Sequence, residues 1–259
     1  MDYLHDGSFE GALTGIYQMF HNRARIETDQ LLDAKTYQMN LWCSYEIVVS
    51  DRDQAYKVAK SIMDTFGEEG FKVVLYSYLY ESSDYGTLLF KFLKRAYKLG
   101  GNAITCLSDD AIFNIYKLYR SVVRESHLML GILRFAQLDK DIFYAQYEPT
   151  YDLTGIIAPH FAERLKDQLW VIHDTKRGIG AFYDGQKWFL QPIDAFEQLQ
   201  FSKEEAKYQE LWKRYFDHIA IAERKNPKCQ RNFMPQKYWK FLTEKTFVLK
   251  PREADTTRN

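Results

Sequence analysis

The sequence predicts an α+β fold: a helical N-terminal part packed on a C-terminal, mostly antiparallel sheet with flanking helices. Three observations carry this expectation. In the first part of the chain, apolar residues recur at the three- and four-residue spacing of a helix face. After Gly131 that spacing gives way to short runs rich in β-branched and aromatic residues, the composition of strands. Between two of those runs stands Asp184-Gly185, a strong signal for a tight hairpin.

Taken in order, Phe9, Leu13, Ile16, Tyr17 and Phe20 share one helix face, and Ser8 is placed to cap it. Tyr45–Val49 reads as a short strand, and Ser50-Asp51 reads as the cap of a helix over Gln54–Phe66. Residues 68–80 and 84–99 read as helices, the second stopped by Gly100-Gly101. Asp109-Asp110 opens a long helix to about Leu128. Ile132–Leu138 and Ile142–Glu148 read as two strands turned at 139–141, followed by a helix over Leu153–Leu165. Leu169–His173, Ile179–Tyr183 and Lys187–Leu190 form a meander. Glu204–Ile219 reads as a helix, Asn226–Arg231 as a polar loop, and Pro235–Leu242 as a last short helix with Pro in its first turn. The expected organisation is a mainly helical region 1–108, an α+β core 109–252 with a basic, aromatic end, and a frayed tail Glu253–Asn259.

Composition narrows the classes. With 46% hydrophobic and 27% charged residues the chain is globular, not disordered, and 13 Gly with 6 Pro exclude collagen-like and low-complexity readings. Three distant cysteines, Cys43, Cys106 and Cys229, fit neither a disulfide framework nor a zinc knuckle. The opening residues lack a signal-peptide pattern, and no run approaches the ~18 apolar residues of a membrane span, so a cytoplasmic setting without membrane contact is expected. The 35 basic and 35 acidic residues cancel overall, which argues against indiscriminate nucleic-acid binding. They are unevenly placed: Lys213–Arg252 holds 11 basic residues against Asp217, Glu223 and Glu244, so a local basic surface is expected.

Neither a phosphate loop, a nucleophile elbow nor a zinc helix occurs, so no cofactor or metal is indicated by a motif. Two constellations remain. The first is dispersed: His127, Glu148, His160, His173 and Asp174 as acid–base groups, with Arg134, Arg164 and Arg177 to hold phosphate. Each histidine alone reads as an ordinary core or surface group, and the cluster acquires meaning only if sheet edges and helix ends bring its members together. The second is the C-terminal alternation of cations and rings. Arg214, Arg224, Lys225, Lys228, Arg231, Lys237 and Lys240 would neutralise phosphates, and Tyr238 or Trp239 would stack on an unpaired base. Against this, the helical spacing of Leu211, Tyr215 and Phe216 equally suits rings buried in a core beneath a solvated cationic face.

Several stretches carry a family resemblance. They are Val123-Arg124-Glu125-Ser126-His127 with Arg134-Phe135, Tyr147-Glu148-Pro149, Pro159-His160-Phe161-Ala162-Glu163-Arg164, Trp170-Val171-Ile172-His173-Asp174 and Tyr183-Asp184-Gly185. Leu211-Trp212-Lys213-Arg214-Tyr215-Phe216 and Met234-Pro235-Gln236-Lys237-Tyr238-Trp239-Lys240 close the series, and Asp6-Gly7-Ser8-Phe9-Glu10-Gly11 matches at the start. The chain thereby resembles a bacterial family of probable DNA metabolism proteins built on a domain of unknown function. The resemblance implies a DNA-repair setting and a radical-SAM protein as partner; other members are fused to a uracil-DNA-glycosylase-like domain that this chain lacks. It supplies no reaction and no catalytic residue. With no clustered cysteines to hold an iron–sulfur cluster, the radical chemistry would be the partner's.

Three functions are expected on these grounds. The first is a nucleic-acid-binding accessory protein presenting DNA to the radical-SAM enzyme through the C-terminal cations and rings. The second is an enzyme, a glycosylase or phosphodiester hydrolase, acting through the His/Glu/Arg cluster. The third is a protein–protein adaptor whose exposed rings form an interface.

Overall fold

The computed structural model describes residues 1–39, 42–139, 141–193, 201–219, 221, 224 and 226–245. Lys225 and the tail Glu253–Asn259 lie outside them. The chain divides into two compact units, Met1–Arg124 and Glu125–Asn259.

The N-terminal unit holds a sheet that sequence reading does not anticipate. β1 (Asp2–His5) lies between β2 (Gln30–Asp33) and β3 (Tyr45–Ile47), parallel to both. Parallel neighbours need a crossover, and α1 (Phe9–His21) supplies it between β1 and β2. Its cap is the expected one, Ser8 Oγ accepting from the Gly11 amide at 2.8 Å. All four residues of β1 are buried, the two polar ends included, which removes the alternation that would have marked the strand.

α2 (Arg52–Tyr78) joins the two helices read from sequence across a kink at Gly67, whose φ of 69° favours glycine. Asp51 caps it through the amides of Asp53 and Gln54. α3 (Tyr85–Leu99) lies against β2 so closely that a Cβ on Gly86 would sit 2.6 Å from the Leu31 carbonyl oxygen. The core beneath is continuous, with Ile16, Leu31, Ile62, Leu89, Phe90 and Ile115 at its centre. α4 (Asp110–Ile132) begins on the Asp109 side chain, which accepts from the Ala111 amide and pairs with Arg95. The division between the units falls inside it.

The second unit is built on a five-stranded sheet in the order β4 (Ala136–Gln137), β5 (Ile142–Tyr147), β6 (Leu169–Asp174), β7 (Ile179–Tyr183) and β8 (Trp188–Pro192). All pairings are antiparallel except β5–β6, which is parallel through the crossover helix α5 (Thr154–Arg164). The protein is therefore α+β, with a small parallel sheet and a mixed, mostly antiparallel one. Asp184-Gly185 does turn β7 into β8: the Asp184 carboxylate accepts from the amides of Gln186 and Lys187, and Gly185 takes φ 90°.

Two boundaries differ from the sequence reading. The strand expected over Ile132–Leu138 shrinks to two residues, because α4 runs on to Ile132. The polar loop expected over Asn226–Arg231 is mostly helix, α7 (Pro227–Phe233). The Asn226 side chain caps it by accepting from the Cys229 amide, and Pro227 stands in its first turn. Before α7 comes α6 (Glu205–Ile219), and after it a 3-10 turn over Gln236–Phe241.

Candidate functional site

All the chemistry anticipated from sequence falls in the second unit, where it separates into a clasp, a set of dispersed histidines, and an open groove.

The clasp centres on Glu125, a buried carboxylate on α4. Its Oε1 accepts from the Thr150 amide at 3.0 Å and the Thr150 hydroxyl at 2.6 Å, while Oε2 accepts from the Tyr151 amide at 3.1 Å. Lys237 Nζ lies 3.0 Å from the same carboxylate, and the Tyr238 hydroxyl donates to it. Burial alone would raise this carboxyl; the bonds from Thr150, Tyr238 and Lys237 outweigh it and hold the group below the usual carboxylate range. Tyr238 is only 2% exposed, and burial followed by the adjoining Glu125 carboxylate pushes its phenol far upward. Its ring is therefore not presented to a base, and the expectation that it stacks is corrected on that ground. Lys240 pairs with Glu148 at 2.7 Å, and the Trp239 indole N–H donates to the Met234 carbonyl at 2.8 Å. Lys237, Tyr238, Trp239 and Lys240 thus pin the C-terminal 3-10 turn to its own unit.

The dispersed groups converge only in part: Glu148, Asp174 and Arg177 meet where β5 and β6 end, the Thr175 hydroxyl lying 3.4 Å from Glu148, while His127, His160, His173 and Arg164 do not join them. Residues paired across β5 and β6 share a face. Tyr144 and His173 lie on one face, with Tyr144 Oη 2.7 Å from His173 Nδ1. Tyr147 lies on the other, where its hydroxyl meets Thr154 Oγ1 of α5 at 2.9 Å. The sheet therefore stands between His173 and α5, which carries His160 and the exposed Arg164. His127 is exposed on α4. Asp174 is fully buried and accepts from the amides of Lys176 and Arg177 and from the Arg177 guanidinium at 2.9 Å, which makes it the anchor of the β6–β7 turn. Arg177 also donates to the Thr150 carbonyl at 3.0 Å. Burial lowers the His173 imidazole below its ordinary value, partly countered by Asp174, and pushes the Tyr144 phenol up to about 12. Among the described residues no three His, Cys, Asp or Glu side chains are grouped to hold a metal ion, and no helix is long and apolar enough to cross a membrane.

The groove is what sequence reasoning missed. It has a volume of about 800 Å³ and runs between α6 and the β4–β5 edge. One wall is the α6 stripe Tyr208, Leu211, Trp212 and Tyr215, which follows i, i+3, i+4, i+7 spacing. The opposite wall includes Phe135 and Phe143. Spacing of this kind normally marks a covered face, yet Tyr208 is 60%, Leu211 50% and Tyr215 56% exposed. Of the two alternatives the spacing left open, burial in a core fails for Leu211 and Tyr215, while Phe216 is half-buried. The α6 residue that is buried is Glu205, whose carboxylate accepts from the Gln137 amide at 2.8 Å and from Gln209 at 2.8 Å, fastening the helix to β4. At one end Arg134 binds Glu244 through Nε at 3.2 Å and Nη2 at 2.7 Å, and its guanidinium lies 5.5 Å from the Trp212 ring centre. The Trp212 indole N–H donates to the same carboxylate at 3.0 Å. Burial would raise Glu244, and the Arg134 bonds, its own backbone and Trp212 together hold it low instead.

Beyond the groove, Arg224, Lys228 and Arg231 are exposed on and before α7, and Arg214 is an exposed partner of Glu210 on α6. The exposed Phe233 ends α7.

The family model of a domain of unknown function, DUF4130, matches residues 83–244, from α3 through Glu244. No curated protein matches the chain.

Proposed function

We propose that this chain, which belongs to the DUF4130 family, is a nucleic-acid-binding accessory protein whose contact surface is formed by α6 and α7. The observation that carries the reading is the inversion of α6: its rings are displayed and its carboxylate is buried, with exposed cations on the same helix and the next. Rings able to stack on unpaired bases, beside cations able to meet phosphates, are what binding to single strands requires. Arg214, Arg224, Lys228 and Arg231 are the phosphate contacts in this reading, with Lys225 beside them in sequence. Tyr208 and Tyr215 take the stacking role that sequence assigned to Tyr238 and Trp239. The resemblance to DNA metabolism proteins supports DNA as the polymer and a radical-SAM enzyme as the partner that does the chemistry.

The test is fluorescence anisotropy with labelled single-stranded, duplex and abasic DNA over a range of salt. Four phosphate contacts on a single strand predict a log–log salt slope of about −3. Reversing Arg224, Lys228 and Arg231 to Glu lowers affinity by more than about tenfold. Binding that ignores salt, or absent binding to every DNA form, sinks the reading. A stable complex with a protein partner that forms without DNA and survives the charge reversal would favour the adaptor function instead.

A further inference from the structure

The groove carries its own electrostatic rule, which says what part of a nucleotide it takes. Among the described residues its lining holds two charged side chains, Arg134 and Glu205. The Arg134 guanidinium is already met by a carboxylate in two-point contact, and that carboxylate also takes the Trp212 N–H. Glu244 is 1% exposed at its side chain, so a phosphate reaching for Arg134 would have to expel a buried counter-ion. The bonds that Glu205 accepts from Gln137 and Gln209 come from neutral donors, so its charge is not cancelled by them. Arg134 therefore does not serve as the phosphate site expected from sequence. What the groove offers a ligand is rings beside the Glu205 carboxylate, which no cation meets among the described residues.

We infer that the groove receives an unstacked nucleobase, leaving phosphates to the cations outside it, and that it holds a positively charged N-alkylated purine more tightly than a neutral one. This rests on the nucleic-acid reading above and adds the chemical class of base. A flat ring meets Tyr208, Trp212 and Tyr215 without displacing any of the bonds just described. A cationic ring gains the attraction of the aromatic faces and of Glu205 as well. The volume of about 800 Å³ leaves room for a purine with its sugar.

The experiment titrates the full chain with adenosine, N1-methyladenosine and ribose phosphate, followed by calorimetry and intrinsic fluorescence. N1-methyladenosine, cationic at neutral pH, binds roughly tenfold more tightly than adenosine, and ribose phosphate competes with neither. Tyr215→Ala and Tyr208→Ala, at exposed positions where folding is not at stake, weaken both nucleosides. Glu205→Gln brings the two affinities together. Equal affinities, preference for the neutral nucleoside, competition by ribose phosphate, or no nucleoside binding overturn the inference. If oligonucleotides bind with the expected salt slope while nucleosides are not distinguished, the base assignment fails and the accessory reading stands. If nucleosides are distinguished while no oligonucleotide binds, the accessory reading fails.

Discussion

α3 and α6 are both fifteen residues long and both amphipathic, yet the molecule uses them in opposite ways. α3 turns Leu89, Phe90, Phe92, Leu93 and Ala96 into the core of its unit, against α1 and β2. α6 turns its stripe of Tyr208, Leu211, Trp212 and Tyr215 toward an open groove and is fastened by Glu205. Hydrophobic periodicity identifies a face but says nothing about what covers it. The residue that decides is the polar one: a buried carboxylate tied to a backbone amide fixes which side of α6 is held down. A helix displaying rings at i, i+3, i+4, i+7 forgoes the burial that would stabilise it, and such faces mark binding surfaces.

The comparison breaks most visibly in α3. Phe90 is fully buried, edge-on to Phe20 at 5.5 Å, so Phe90→Ala should cost about 3–5 kcal/mol. Urea unfolding, followed separately in the two units because they need not melt together, measures it. A loss under about 1 kcal/mol would mean that α3 is no better anchored than α6.

The clasp is next in size. Glu125→Ala removes an acceptor shared by two backbone amides, a lysine and a buried phenol, and should cost about 3 kcal/mol. Tyr238→Phe removes only one donor and should cost about 1–1.5 kcal/mol. Because the folded carboxyl is held below its ordinary value of 4.5, its contribution is complete above that pH and is lost as pH falls through the lower folded value. A Glu125→Gln variant should flatten that part of the acid unfolding curve. An unchanged curve would mean that the clasp does not hold the second unit together.

These contacts explain what the sequence could and could not disclose. Local rules reached the caps at Ser8 and Asp51, the Asp184-Gly185 turn and the meander, because each depends on neighbours in the chain. β1 escaped because a four-residue strand buried at both polar ends has no alternation to read. Asn226-Pro227 carried both signals of a helix start and was outweighed by the polarity of Lys228, Gln230 and Arg231. The clasp joins residues 113 apart, Glu125 and Tyr238, and no spacing rule spans that distance. The same holds for Arg134 and Glu244, 110 apart. From composition alone, Tyr238 and Lys237 look like a stacking ring and a phosphate cation; a distant carboxylate makes them structural. The basic, aromatic end was legible as a place, while the division between rings that fasten and rings that are displayed was not.

A smaller effect tests the other face of the sheet. Burial lowers the His173 imidazole below its ordinary value of 6.5, so the folded protein disfavours the proton that the unfolded chain accepts. Stability from this group is present above about pH 6.5 and is lost as pH falls below it. Burial lowers the His5 imidazole in the same way, so His173→Gln should lessen, without abolishing, the decline between about pH 6.5 and the onset of the Glu125 transition, as measured by thermal melts across that range. A decline of unchanged size in the variant would assign it to His5 or another group.

The smallest expected change in stability is the one that most sharpens the contrast between the helices. Tyr215 and Tyr208 are more than half exposed, so replacing either with Ala should alter unfolding free energy by no more than about 0.5 kcal/mol. A ring of the same stripe geometry in α3 costs several times that. If the α6 rings are there to stack, the same replacements should weaken single-stranded DNA binding about tenfold, since stacking on one base is worth roughly 1–3 kcal/mol. Stability and binding then separate cleanly: Phe90→Ala lowers the first, Tyr215→Ala only the second. A Tyr215→Ala protein that is destabilised by more than about 2 kcal/mol would instead make α6 a second α3, its rings covered and its groove closed in solution.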